Sequence, residues 1–204
     1  MRDIAVNSGG GVQLHNEAQY MCYFIDTPLS GSDEKLAEAC PARKQRAVDY
    51  INTTKPDIVF ISHAYTAGRK VRGTDHDITS KEWADSMRAF INKFRGNVKK
   101  IVFLAPPPSD VLISECYGKK SSAPANCISR ITNDWRSTAN AEQALAASIG
   151  ATWVDSRPWF CASSKCPSFV GTVITKADAV HMSPAYGQRI TPVIGESLNL
   201  AGVF

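Results

Sequence analysis

Three short apolar runs without alternation limit the folds open to this chain: Asp57-Ile-Val-Phe-Ile-Ser62, Lys100-Ile-Val-Phe-Leu-Ala105 and Ala151-Thr-Trp-Val-Asp155. Runs this short with no polar face read as strands covered on both sides, as in a parallel sheet. Between them stand patterns of helical period. Ser32 and Asp33 are placed to cap a helix whose apolar face takes Leu36, Cys40, Ala47, Val48 and Ile51, with Pro41 disturbing its first turns. Thr79 or Ser80 caps a second helix, which carries Trp83, Met87, Phe90, Ile91 and Phe94. A third is expected from Arg130 to Ile149, stopping at Gly150. Ser183-Pro184 opens the last, which Pro192 should kink. A weaker strand is expected between Val12 and Phe24. Strands alternating with helices predict an α/β fold, a three-layer sandwich with a mostly parallel sheet. The loops after Ser62, Ala105 and Asp155 then lie beyond the carboxyl ends of the strands, where ligands bind in such folds.

The chain is 204 residues, 44% hydrophobic and 21% charged, which suits one domain and excludes a disordered, collagen-like or coiled-coil chain. No repeat or linker divides it. No apolar run reaches the roughly 18–20 residues of a membrane helix. A net charge of +4 spread along the chain gives no reason to expect a nucleic-acid partner.

The six cysteines fall into close pairs: Cys22 with Cys40, Cys116 with Cys127, and Cys161 with Cys166. Zinc is a poor competitor, because no CxxC spacing occurs and no His lies close to Cys161 or Cys166. Each pair brackets a polar or Pro/Gly-rich stretch that a short covalent loop would restrain, so three local disulfides are expected; buried free thiols are the alternative. Disulfides belong to an oxidising compartment, yet the N-terminus MRDIAVNSGGGVQ has no apolar export segment. The two observations conflict.

The sharpest chemical feature is Asp178-Ala-Val-His181, just before the last helix. On a tight turn this spacing sets a carboxylate against one ring nitrogen and leaves the other to act as general base toward a serine hydroxyl. A plain helix-start motif is the alternative. Together with KPDIVFISHAY, KKIVFLAPPP and the CASSKCP loop, the block TKADAVHMSPAYG resembles the SGNH (GDSL-like) hydrolases, in particular the SGNH domain attached to membrane-bound acyltransferases of bacterial cell envelopes. The resemblance runs from about Gly11 to the C-terminus. It implies a flavodoxin-like SGNH-hydrolase fold with His181 as base and Asp178 as its orienting partner, and neither metal nor organic cofactor.

The Gly-Asp-Ser nucleophile block of that family occurs nowhere in the chain. Ser8 in Asn7-Ser8-Gly9 lies only 13 residues before Cys22, too few for a crossover and the following strand. The better alignment makes Met1 to Asn7 the end of the first helix and Val12 to Phe24 the second strand. Residues 1–204 are then a single SGNH-like domain incomplete at its N-terminus, lacking its first strand, with the nucleophile serine upstream of Met1. In a 2-1-3-4-5 order this loss leaves two strand edges unpaired. An upstream membrane acyltransferase domain would also supply export, which removes the conflict over the cysteines.

Other side chains are weaker candidates. Ser62 could replace the missing serine. Where the family places an oxyanion-hole Asn, this chain has Ser62-His63-Ala64-Tyr65, so His63 and Tyr65 become candidate oxyanion or substrate contacts, or packing residues. His76 stands between Asp75 and Asp77 without enough ligands for a metal, and His15 has no assignment. Trp153, Trp159 and Phe160 suit a sugar cleft or a core, and Arg69-Lys70-Val-Arg72 suits an anionic glycan or a solvated surface. The resemblance implies an extracytoplasmic serine esterase or O-acyltransferase domain, membrane-attached in the full-length protein. It would move acyl groups, acetyl above all, on an envelope polysaccharide, and would be inactive without its nucleophile. The alternatives are a non-catalytic glycan-binding or structural remnant of the fold, and a cytosolic α/β protein with free thiols.

Overall fold

The computed structural model describes every residue except Met21, Ser32, Thr66 and Ala67. In chain order the helices and strands are α1 (Arg2–Asn7), α2 (Glu34–Thr54), β1 (Ile58–Ile61), α3 (Ser80–Ile91), β2 (Lys100–Leu104), α4 (Ile113–Cys116), β3 (Ile128–Arg130), α5 (Asn133–Ile149), β4 (Thr152–Val154), α6 (Arg157–Phe160), β5 (Lys165–Pro167), β6 (Phe169–Val170), β7 (Val173–Ile174) and α7 (Pro184–Leu200). They fall into two compact units. One comprises Asn16–Leu104 and Ser137–Trp153; the other comprises Met1–His15, Ala105–Arg136 and Val154–Phe204.

The three apolar runs form the expected sheet. Its order is β1-β2-β4, and β1 pairs parallel to β2 with Ile58 opposite Lys100 and Ile61 opposite Phe103. Ile101, Val102 and Phe103 in the central strand are buried, whereas Ile58, Val59 and Phe60 on the edge are only half-buried. Helix α3 covers the sheet with the predicted face: Trp83, Met87, Phe90, Ile91 and the following Phe94 are all buried. Thr79 caps it in a capping box, accepting from the Glu82 N–H at 3.2 Å while the Glu82 carboxylate accepts from the Thr79 N–H at 2.8 Å. Asp33 caps α2 through the Leu36 N–H at 3.1 Å; Ser32, the other expected cap, lies outside the described residues. Helix α2 continues through Pro41 and carries Ala47 and Val48 into the core, as the spacing predicts, together with Lys44.

Two expectations are corrected. No strand forms among the described residues between Val12 and Phe24, and Val12–Ala18 are exposed. The segment finds its partners on α2: the Gln19 amide donates to the Arg43 carbonyl at 3.0 Å, Arg43 donates to the Tyr20 carbonyl at 3.3 Å, and Cys22 is bonded to Cys40. Helix α5 begins at Asn133 rather than Arg130, because Thr132 supplies its cap to the Trp135 N–H at 3.2 Å. Residues 128–130 instead make β3, antiparallel to β5, with Ser129 opposite Cys166. Gly150 ends α5 at φ 69°, the left-handed conformation of a helix stop.

The second unit is held by short pairings. Besides β3–β5 it has the β6–β7 hairpin, whose two-residue turn starts at Gly171 with φ 61°. All three expected disulfides are present, Cys22–Cys40 in the sheet-bearing unit and Cys116–Cys127 and Cys161–Cys166 in the other. Ser183 caps α7, accepting from the Tyr186 N–H at 3.2 Å, with Pro184 at the first helical position, and the helix runs on through Pro192.

Candidate functional site

Residues 175–183 fold back on themselves ahead of α7. The Ser183 N–H donates to the Thr175 carbonyl at 3.0 Å and the Ala177 N–H to the His181 carbonyl at 2.8 Å, so the chain enters and leaves the turn side by side. Inside it, Asp178 Oδ1 accepts from the backbone N–H groups of Val180 (2.8 Å) and His181 (2.7 Å). The second oxygen, Oδ2, lies 2.7 Å from His181 Nδ1. Those backbone N–H bonds above all, with the His181 ring beside them, hold the Asp178 carboxyl at about 2, well below the ordinary carboxylate value. An ionised Asp178 makes Nδ1 the protonated nitrogen and leaves the Nε2 lone pair outward. The His181 side chain is 77% exposed. This is the tautomer and orientation of a general base.

The turn rests on a buried ion pair. Lys176 Nζ lies 2.5 Å from Asp110 Oδ2, with each side chain 1% exposed. The Thr175 hydroxyl donates to the same oxygen at 3.1 Å, and the Asp110 N–H donates to the Ala179 carbonyl inside the turn at 2.8 Å. Burial pushes the Asp110 carboxyl up and the Lys176 ammonium down, each against the pull of its partner. Neither residue stood out in the sequence; the available signal was a charged pair flanking the β2 loop and the Asp178 turn.

His63 and Tyr65 follow β1 and meet a third group. His63 Nε2 lies 2.6 Å from Glu142 Oε1, and the Tyr65 hydroxyl donates to Glu142 Oε2. The His63 and Glu142 side chains are 6% and 2% exposed. The ring of Trp83 flanks the imidazole at 4.8 Å. Glu142 went unnoticed in the sequence, although it sits on the same helical face as the buried Trp135, Ala139 and Ala146, where a carboxylate is out of place.

The remaining candidates have local roles. Ser62 is exposed at the end of β1, and the Ser8 hydroxyl donates to the Ala5 carbonyl at 2.6 Å and accepts from the Val12 N–H at 3.0 Å. His76 pairs with Glu82 at 2.9 Å on the surface, and among the described residues no three His, Cys, Asp or Glu cluster as a metal site. Trp159 and Phe160 are buried, the Trp159 indole donating to Ser197 Oγ at 3.0 Å, and Trp153 packs against the core of its own unit. Trp135 and Ser156 both donate to the Pro106 carbonyl, at 3.1 and 2.8 Å, which fixes the loop after β2.

Comparison with known proteins bears on the fold and the family. Among solved structures, the periplasmic domain of the lipopolysaccharide acetyltransferase of Salmonella ser. Paratyphi A superposes with a TM-score of 0.62 at 16% identity, over 95% of this chain and 76% of that one. None of the curated proteins matches. The family described as "SGNH domain (fused to AT3 domains)" matches residues 7–196, a span that contains both the sheet and the Asp178–His181 turn. The chain belongs to that SGNH domain family.

Proposed function

We propose that the chain is the acid–base part of an extracytoplasmic SGNH-type serine esterase or O-acyltransferase domain that moves acetyl or related acyl groups on a cell-envelope polysaccharide. The observation that carries this reading is the Asp178–His181 pair, its carboxylate fastened by two backbone N–H groups and its Nε2 facing outward. His181 takes the proton from a serine hydroxyl as that oxygen attacks the acyl carbonyl, and returns it to the departing alkoxide. The resulting acyl-serine then passes its acyl group to a sugar hydroxyl or to water, with His181 again removing the proton. Asp178 keeps the imidazole in one tautomer and offsets the positive charge it acquires.

The serine itself is proposed to come from a Gly-Asp-Ser segment preceding Met1, with a membrane acyltransferase domain of the AT3 type before it. The half-buried edge of β1 agrees with this, since a 2-1-3-4-5 order sets the first strand there. For an oxyanion role His63 would donate from Nδ1, because Nε2 faces Glu142. Three disulfides and the periplasmic origin of the similar structure support an extracytoplasmic location; among the described residues no helix is long and apolar enough to cross a membrane.

The second reading is a non-catalytic glycan-binding or structural remnant of the fold. Reading the DNA upstream of Met1 separates the two. An in-frame Gly-Asp-Ser and apolar spans support the enzyme, and a stop codon directly before Met1 supports the remnant. Thiol counting on exported protein should find no free cysteine, and six would remove the extracytoplasmic assignment.

A further inference from the structure

In the sheet-bearing unit, a shallow depression of about 30 Å³ is lined among others by Tyr23, Thr27, Leu29, Pro41, Lys44 and Arg69. Its cations differ from those around it. In the basic loop 69–72, Lys70 is matched by Asp75 at 3.2 Å and Arg72 by Glu34 and Glu38. Arg69 has no acidic partner among the described residues, and its buried Nε has no hydrogen-bond partner. The guanidinium lies flat on the Tyr23 ring, its carbon 3.7 Å from the centroid, and burial pulls it down to about 10. Lys44 is also buried; its ammonium donates to the Ile25 carbonyl, while Asp26, the carboxylate nearest in charge, is paired with Lys93.

A buried guanidinium Nε without an acceptor is costly to keep, and a guanidinium stacked on an aromatic ring has its planar N–H edge preset for a two-oxygen acceptor. We propose that this depression is an oxyanion-binding site, in which the Arg69 edge, with Lys44 beside it, receives a carboxylate or phosphate group of an acidic sugar. The oxyanion part stands on the pocket alone. The sugar part rests on the polysaccharide reading above, which it sharpens toward an acidic polymer.

Calorimetric titration of the chain with galacturonate, inorganic phosphate and neutral galactose tests it. Binding of galacturonate or phosphate is expected, and whichever is tighter identifies the source; galactose should bind at least about tenfold more weakly than that anion. Arg69→Met should weaken the anion about 10–100-fold, the loss of hydrogen bonds to a charged group, while leaving the melting temperature within about 2 °C of wild type, because Met keeps the apolar stem that packs beside Tyr23. Failure of both anions to bind at millimolar concentration overturns the site, as does unchanged affinity in Arg69→Met. A fall in melting temperature with affinity unmoved would mark the guanidinium as packing for Tyr23. Should Arg69→Met not fold, Arg69→Lys keeps the charge without the fork and should lie between wild type and no binding; wild-type affinity in that variant counts against the proposal. None of these readouts involves acyl turnover, so the site and the His181 chemistry fail separately.

Discussion

Two of the histidine–carboxylate pairs in the molecule lie at nearly the same distance in opposite surroundings. Asp178 and His181 meet at 2.7 Å with side chains 52% and 77% exposed, whereas His63 and Glu142 meet at 2.6 Å with 6% and 2%. The exposed pair is built by one turn of chain. Its partners are three residues apart, the carboxylate is anchored to backbone N–H groups of the same turn, and little packing depends on it. The buried pair joins the end of β1 to the middle of α5, and Tyr65 reaches the same carboxylate across 77 residues of sequence. An exposed imidazole can meet a substrate and exchange protons with it. A buried one transmits its loss to the fold. Contact distance alone therefore says nothing about role; the surroundings decide it.

Four experiments press on this difference. In protein carrying its nucleophile, His181→Ala should lower turnover about 1000-fold or more, with the melting temperature within about 2 °C of wild type; retained turnover would remove His181 from the chemistry. Glu142→Ala should do the reverse in kind, costing about 3–5 kcal/mol in urea unfolding because His63 and Tyr65 lose their shared partner inside the protein. If it unfolds like wild type, the buried pair is not structural. Lys176→Met alone should destabilise by about 3 kcal/mol, while Lys176→Met with Asp110→Leu should recover most of that loss. No recovery would show that the Asp110 carboxylate holds the turn by itself.

The smallest effect concerns acid. The Asp178 carboxyl is lowered in the folded protein to about 2, so its contribution to stability is fully present above the ordinary carboxylate value and is lost as the pH falls from about 4 through 2. The Asp178 side chain is half exposed and screened by solvent, so the loss should be slight. An unfolding series across that window should show a small decline in wild type that Asp178→Asn lacks.

What the sequence discloses divides along the same line. Asp178 with His181, Thr79 with Glu82, and each cysteine with its neighbour are contacts between residues close in the chain, and spacing carries them. The apolar strands were equally plain, because burial on both faces leaves an unbroken run. Glu142 and the Asp110–Lys176 pair depend on which distant segments fold together, and no local pattern records that. The stretch from Val12 to Phe24 misled for a related reason: its scattered Val, Leu, Tyr and Phe satisfy a strand's composition, but a strand exists only with a ladder partner. Here α2 supplies side-chain and covalent ties instead. Strands β3 and β5 are three residues each and mostly polar, too short for periodicity to reveal.

The disulfide connectivity has a consequence for how such a chain is made. Of all the ways to pair six cysteines, this one joins each to the next in line, across separations of 18, 11 and 5 residues. A polypeptide entering an oxidising compartment N-terminus first presents each cysteine's partner before any later competitor. An oxidase acting in order of emergence therefore makes the native set without a misbonded intermediate to unscramble. Maturation by that route needs a donor of disulfides and no isomerase, and export from cells lacking the isomerase should yield correctly bonded protein.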